Sequence, residues 1–189
     1  MSGFSLYLRL GFEHITDPGG WDHMLFLLAL CSGYSLRDLR RVLVLVTAFT
    51  VGHSLTLALS VLAQPLLPSA WVETLIPVTI LVVALLNLVL PPRKASGLGL
   101  RYGPALLFGL IHGMGFSNYL RALLGAEESL WEPLLAFNLG LEIGQILVVG
   151  AILLLAGLVV DLIRLPQLWW TRGLSLLAVG GSMWLLLGE

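Results

Sequence analysis

Hydrophobic residues in this chain run in long blocks broken by short polar punctuation, a pattern that predicts membrane-spanning helices. Six blocks stand out, at about residues 20–35, 38–63, 71–90, 102–121, 131–158 and 168–187, separated by charged or Pro/Gly-rich breaks such as "GYSLRDLRR", "AQPLLPSAW" and "PPRKASGLGLR". Polar residues inside the blocks keep helical spacing. Asn138, Glu142 and Gln145 fall at i, i+4 and i+7, and Thr50, His53, Thr56 and Ser60 make a similar stripe, so each set predicts the inward face of one helix. Gly109 with Gly113 and Gly140 with Gly144 repeat the small-xxx-small spacing that lets two helix backbones approach closely. No break is long enough to hide a soluble domain. Residues 1–189 are therefore expected to form a single polytopic membrane domain, with 1–19 as an outer-side segment leading into the first span.

Composition turns this pattern into a class. The 189 residues are 58% hydrophobic and only 11% charged, with a mean hydropathy of +0.95. A soluble domain carries about a quarter charged residues. The expectation is an all-α integral membrane protein, a bundle of about six transmembrane helices with the lipid bilayer as its first partner. A net charge of −1 and the absence of a long basic cluster argue against nucleic acid. Cys31 is the only cysteine, which gives neither an internal disulfide nor a paired thiolate metal site. The start "MSGFSLYLRLGFEH" lacks the basic flank, apolar core and cleavage site of a signal peptide, so these residues are expected to stay in the mature protein.

Charge also orients the bundle. With six alternating spans, Arg37, Arg40, Arg41, Arg93, Lys94, Arg101, Arg164 and Arg172 share one side, and only Arg9 and Arg121 fall on the other. The positive-inside rule then puts both termini outside in a multi-pass protein of the cell inner (plasma) membrane.

Orientation lets helix rise serve as a depth gauge. His23 is 14 residues from Arg37, His53 is 12 from Arg41 and His112 is 11 from Arg101. At about 1.5 Å per residue these three lie roughly 16 to 21 Å above the inner interface, in one layer of a core about 30 Å thick. Glu142 counts out to about 22 Å, in the same layer. His14 and Asp17 lie above it, on the outer side, and Asp22 joins His23 at the layer itself. A charge at mid-bilayer costs about 2.5 to 3.5 kcal/mol, so ionisable residues gathered at one depth call for mutual compensation, which a metal ion supplies. His14, Asp22, His23, His53, His112 and Glu142 are the candidate ligands. Imidazoles with one or two carboxylates suit a divalent transition metal ion, Zn, Ni, Co or Fe, and disfavour copper(I). Asp17, Thr50, Glu73, Asn138 and Gln145 are expected to line the polar interior. Asp22 fits a helix cap as well as a ligand, Asp17 fits the turn at "PGG", and Glu73 fits a dipole partner at a helix start.

Five ordered blocks, "GFEHITDPGGWDHMLFLLAL", "LVTAFTVGHSLTLALS", "VETLIPVTIL", "FGLIHGMGFSNYL" and "LLAFNLGLEIGQILVV", resemble the HupE/UreJ membrane proteins, the hydrogenase and urease accessory group, in its second branch. The resemblance covers nearly the whole chain. It implies a small multi-span protein that handles nickel or another divalent metal, with His14, Asp22 and His23 at the metal-handling end. The nickel-permease branch has a tighter His-to-Asp-His spacing and a different later histidine block, so the resemblance implies metal handling more directly than nickel specificity.

Two functions fit such a site. A divalent-metal permease of the nickel type would capture the ion at His14 and Asp17 and hold it near the midplane. Against it, inner halves such as "MLFLLAL" and "VVGAILLLAGL" are thin for a cation path, with Asn87, Thr47 and Gln145 the main polar exceptions. The alternative is an intramembrane metal-dependent hydrolase opening to the outer face. There His23, His53 and His112 would bind zinc, and Glu142 or Asp22 would be the catalytic general base. No H-E-x-x-H or nucleophile-elbow signature supports it. A third reading is a structural metal or polar core, and a homo-oligomer is compatible with all three.

Overall fold

The structure, a computed structural model, describes residues 3–17, 19–63, 66–90, 99–124 and 129–188. Eight α-helices account for most of them: α1 (Gly3–Thr16), α2 (Trp21–Cys31), α3 (Leu39–Leu62), α4 (Ser69–Val89), α5 (Gly99–Gly115), α6 (Ser117–Leu124), α7 (Trp131–Ala156) and α8 (Gln167–Leu187). No strand occurs among the described residues. A single 3-10 turn, Leu36–Asp38, leads into α3, and a π-helical turn, Gly157–Leu162, extends α7. Three helical segments, Leu36–Leu62, Ser69–Val89 and Trp131–Leu162, are long and apolar enough to cross a membrane. The pattern of six uninterrupted blocks is thus broken in two places: the fourth block divides into α5 and α6 at Phe116, and the first contains only the 11-residue α2.

What precedes α2 explains its shortness. Residues 3–16, expected as a lead-in, are a 14-residue helix that buries Tyr7, Gly11 and Ile15 at four-residue intervals while Arg9 and Glu13 pair on the exposed side at 2.6 Å. α1 packs along α7 through glycines at both surfaces. A Cβ on Gly11 would collide with the Phe137 carbonyl, one on Gly140 with the Leu8 carbonyl, and one on Gly144 would press on Phe12 and Ile15. These pairings advance together along both helices, so α1 and α7 run in the same sense. The Leu36 side chain near Gly157 places the end of α2 beside the end of α7, and α2 therefore also runs this way. α1 and α2 thus follow one another in the same sense, α1 ending at Thr16 and α2 starting at Trp21, about 38 Å of helical rise in two halves.

The second close pair is α3 and α5. Gly52 lies against Leu106 and Leu110 of α5, Gly109 against Phe49, and Gly113 against His53 and Thr56, again in parallel register. α7 runs antiparallel to α3, as the Ser54–Asn138 and Thr47–Glu142 bonds show. α8 lies antiparallel to α2, with Gly181 against Leu25 and the Thr171 hydroxyl donating to the Ser32 carbonyl. Asn87 of α4 donates to Ala29 O and Ser32 Oγ, which ties the end of α4 to the end of α2. The start of α1 and the end of α8 consequently lie at the same end of the bundle, the end where α3 and α5 finish. Large apolar side chains remain exposed around the outside, among them Val51, Leu55, Leu139, Ile143, Leu147 and Leu177, as a lipid-facing surface requires.

Candidate metal centre

The break in the first helix is where the histidines meet. His14 sits in the last turn of α1 and His23 in the first turn of α2, with the connection turned by Asp17, whose carboxylate accepts the Gly19 amide at 2.8 Å and whose carbonyl accepts the Gly20 amide at 2.9 Å. His53, one residue beyond Gly52, is carried to the same place by the tight α3–α5 contact, and His112, beside Gly113, comes with it. His14, His23 and His53 each offer a ring nitrogen within 4.8 Å of the others. The His112 ring centre is 5.3 Å from that of His23, and His14 to His23 is 4.5 Å. Four helices thus supply four imidazoles to one point.

Their unshared nitrogens identify the chemistry. The Nε2 atoms of His14, His23, His53 and His112 are all buried without a hydrogen-bond partner, as is Nδ1 of His53. Buried polar atoms are almost always satisfied, so four orphans in one cluster require an explanation. The second nitrogens of two rings are held. His23 Nδ1 lies 3.0 Å from Asp22 Oδ1, which also accepts the His23 amide at 2.8 Å, and His112 Nδ1 lies 2.9 Å from the Phe108 carbonyl. Carboxylate or carbonyl on Nδ1 fixes the proton there and frees the Nε2 lone pair for a metal. The donor set fits a divalent transition metal ion held by imidazoles, with Asp22 supplying the negative charge alongside.

An open cavity of about 650 Å³ lies over the group, lined by Glu13, His14, Asp17, Asp22 and His23 with Phe116 and Tyr119 on the facing side. Phe116 stacks on Phe137 at 5.1 Å and lies 4.1 Å from His14. Opposite the opening, the stacked pair Phe26 and Phe49, 4.8 Å apart, lies 5.1 and 5.2 Å from His112. The site therefore has an acidic mouth and an aromatic floor.

The other anticipated residues fall into three places. Asp22, in the first turn of α2, accepts the His23 amide and lies against the His23 ring with the same oxygen. Asp17 shapes the turn and lines the cavity. Asn138 accepts from Ser54 Oγ at 2.6 Å, and Gln145 pairs with Thr50, so these two belong to the α3–α7 seam next to the histidines. Glu142 is apart from the group: its Oε1 accepts from Thr47 Oγ1 at 2.9 Å, and Thr47 precedes His53 by six residues, about 9 Å of rise. Glu73 is exposed near the start of α4 and does not line the cavity. Glu13, Phe26, Phe49 and Phe116 are parts of the site that the sequence pattern does not single out. The aromatics look like ordinary apolar block residues, whereas Glu13 is one turn from Arg9 and adjacent to His14, a signal that was present but reads equally as a solvated pair.

A search of curated proteins and a search of solved structures each returned no match. The family profile described as HupE / UreJ protein matches residues 1–187, so this membrane-helix protein with its histidine cluster belongs to the HupE/UreJ family, a group of metal-related accessory membrane proteins.

Proposed function

We propose that this protein is a divalent transition-metal permease of the inner membrane, with the histidine group as its ion-binding site and the cavity as its external entrance. The observation that carries this reading is the set of four buried, partnerless Nε2 atoms at a break between two half-helices. Discontinuous helices whose ends meet at an ion site are a recurring transporter device, because unwound backbone and helix termini can face a cavity without lipid contact. Glu13, Asp17 and Asp22 raise the local cation concentration at the mouth. His14, nearest the opening, receives the ion; His23 and His53 complete a three-nitrogen grip, and His112 offers a fourth nitrogen deeper in. Asp22 keeps His23 in the metal-ready tautomer. The basic residues at the opposite end orient the mouth, and with it both termini, to the outside.

The test is flux through protein reconstituted in liposomes loaded with a metal-sensitive dye. External Ni²⁺, Co²⁺ or Zn²⁺ should enter faster than in protein-free vesicles, and His53→Ala should abolish the difference. Stoichiometric tight binding with no flux for any of the three would overturn transport.

One observation favours a second reading. A cavity of about 650 Å³ is far larger than an ion needs and lies in the range that holds a small organic molecule. In that case the site is a metal-dependent hydrolase opening to the outer face. A metal there would supply Lewis acidity, and Asp22, at the cavity wall beside His23, would take the proton from the attacking water.

A further inference from the structure

The cavity over the histidines is larger than an ion alone requires. A divalent ion carrying six waters fills roughly 180 Å³, at about 30 Å³ per water. The cavity holds about 650 Å³, within the range that small organic molecules occupy. Its walls restrict which molecules those can be.

One wall is aromatic. Phe137 of α7 stacks nearly parallel on Phe116, which lies 5.1 Å from Tyr119, and both Phe116 and Tyr119 line the cavity. Tyr119 is 55% exposed, so its ring is free to take a further partner. An ion that keeps its water shell makes no close contact with such a wall, whereas a planar ring stacks on it. The other wall is acidic, with Glu13, Asp17 and Asp22 all bordering the space. Arg9 offsets Glu13 at 2.6 Å, and no Lys or Arg pairs with Asp17 or Asp22 among the described residues. That surface repels anionic ligands such as carboxylates and phosphates.

The histidines supply the third restriction. His14 and His23 border the cavity, and with His53 they offer three ring nitrogens to one ion. Three protein ligands leave a coordination position open. His112 lies on the far, aromatic side, against Phe26 and Phe49. A ligand that reaches a transition metal from the cavity, stacks as a planar ring and carries no negative charge is an aromatic nitrogen base such as an imidazole.

We propose that the site takes the divalent ion together with a small, uncharged aromatic nitrogen ligand, which fills the open coordination position and stacks on Phe116 and Tyr119. The inference rests on the permease reading and names the form in which its substrate arrives. It also accounts for the volume of the cavity without hydrolysis.

The experiment uses purified full-length protein saturated with Co²⁺, imidazole as the probe ligand and visible absorption as the readout, with cobalt retention checked by dialysis. Imidazole should shift the spectrum of bound cobalt in a saturable way while the cobalt stays on the protein, and acetate at the same concentrations should leave it unchanged. Tyr119→Ala should raise the half-saturating imidazole concentration about fivefold, the loss of one aromatic contact. Phe116→Leu carries the same expectation if that variant does not accumulate. An unchanged spectrum, cobalt stripped from the protein, equal shifts by acetate and imidazole, or a wild-type response in both variants would each overturn the ternary complex. A wild type that binds no cobalt overturns the histidine centre and this inference with it. An intact ternary complex without cobalt flux into liposomes, with or without imidazole, would overturn the permease reading alone.

Discussion

At the scale of single residues, Asp22 shows how a neighbour gives a ligand its character. Its one oxygen meets both the amide and the ring of His23, so that the ring is fixed and its Nε2 faces the cluster. Asp22→Asn keeps the size but removes the charge, and an amide in place of the carboxylate is a poorer acceptor for the ring N–H. Metal affinity should fall about 10- to 100-fold, measured by competition with a chromophoric chelator, while thermal stability of the metal-free protein changes little. An affinity equal to wild type would mean that Asp22 does not orient the ligand. His23→Ala should be more severe, because the His23 imidazole lies beside both the His14 and the His112 imidazoles, and stoichiometric binding in that variant would dismiss the centre as drawn. Asp22 was visible in the sequence as cap or ligand. Its third role was not, because a contact between adjacent side chains depends on rotamers that spacing does not encode.

At the scale of helices, the glycines decide what the histidines can do. His53 and His112 reach one site because α3 and α5 touch backbone to backbone at Gly52, Gly109 and Gly113. Gly109→Ala would drive a methyl group into the Phe49 backbone, and the helices must part or tilt to accept it. We expect a loss of about 1 to 3 kcal/mol in stability, the usual cost of overpacking, read as a lower melting temperature in detergent. Weakened metal binding should accompany it, since the cost falls on the contact that aligns two ligands. Gly11→Ala, which presses α1 off α7 at the Phe137 carbonyl, should lower stability to a similar degree. Gly103→Ala, where added bulk meets nothing, serves as the control and should melt like wild type. The Gly109–Gly113 and Gly140–Gly144 spacings were legible as close-approach motifs. Their partners were not, and the second of them turned out to hold a helix, α1, that the charges of Arg9, Glu13 and His14 concealed.

At the scale of the whole molecule, the start of α1 and the end of α8 share one end of the bundle, the end where α3 and α5 finish. With the basic residues facing the cytoplasm, a C-terminal alkaline phosphatase fusion should be active and a C-terminal green fluorescent protein fusion dark; the reverse pattern would invert the proposed entrance. The sequence by itself determined the solvent of this protein, since so apolar a chain can be satisfied only in lipid and only as helices. It also determined the ionisable residues available for a site and their rough depth, because helical rise is fixed. Tertiary structure alone decided which of them meet. Depth is a single coordinate, and residues at one level can still lie on different seams, as Glu142 does beside Thr47 while His14 joins the cluster from a helix of its own. The end of α1 at Thr16 is of the same kind: a turn signal marks where a helix can stop, but only packing against α7 makes the stretch before it a helix rather than a tail.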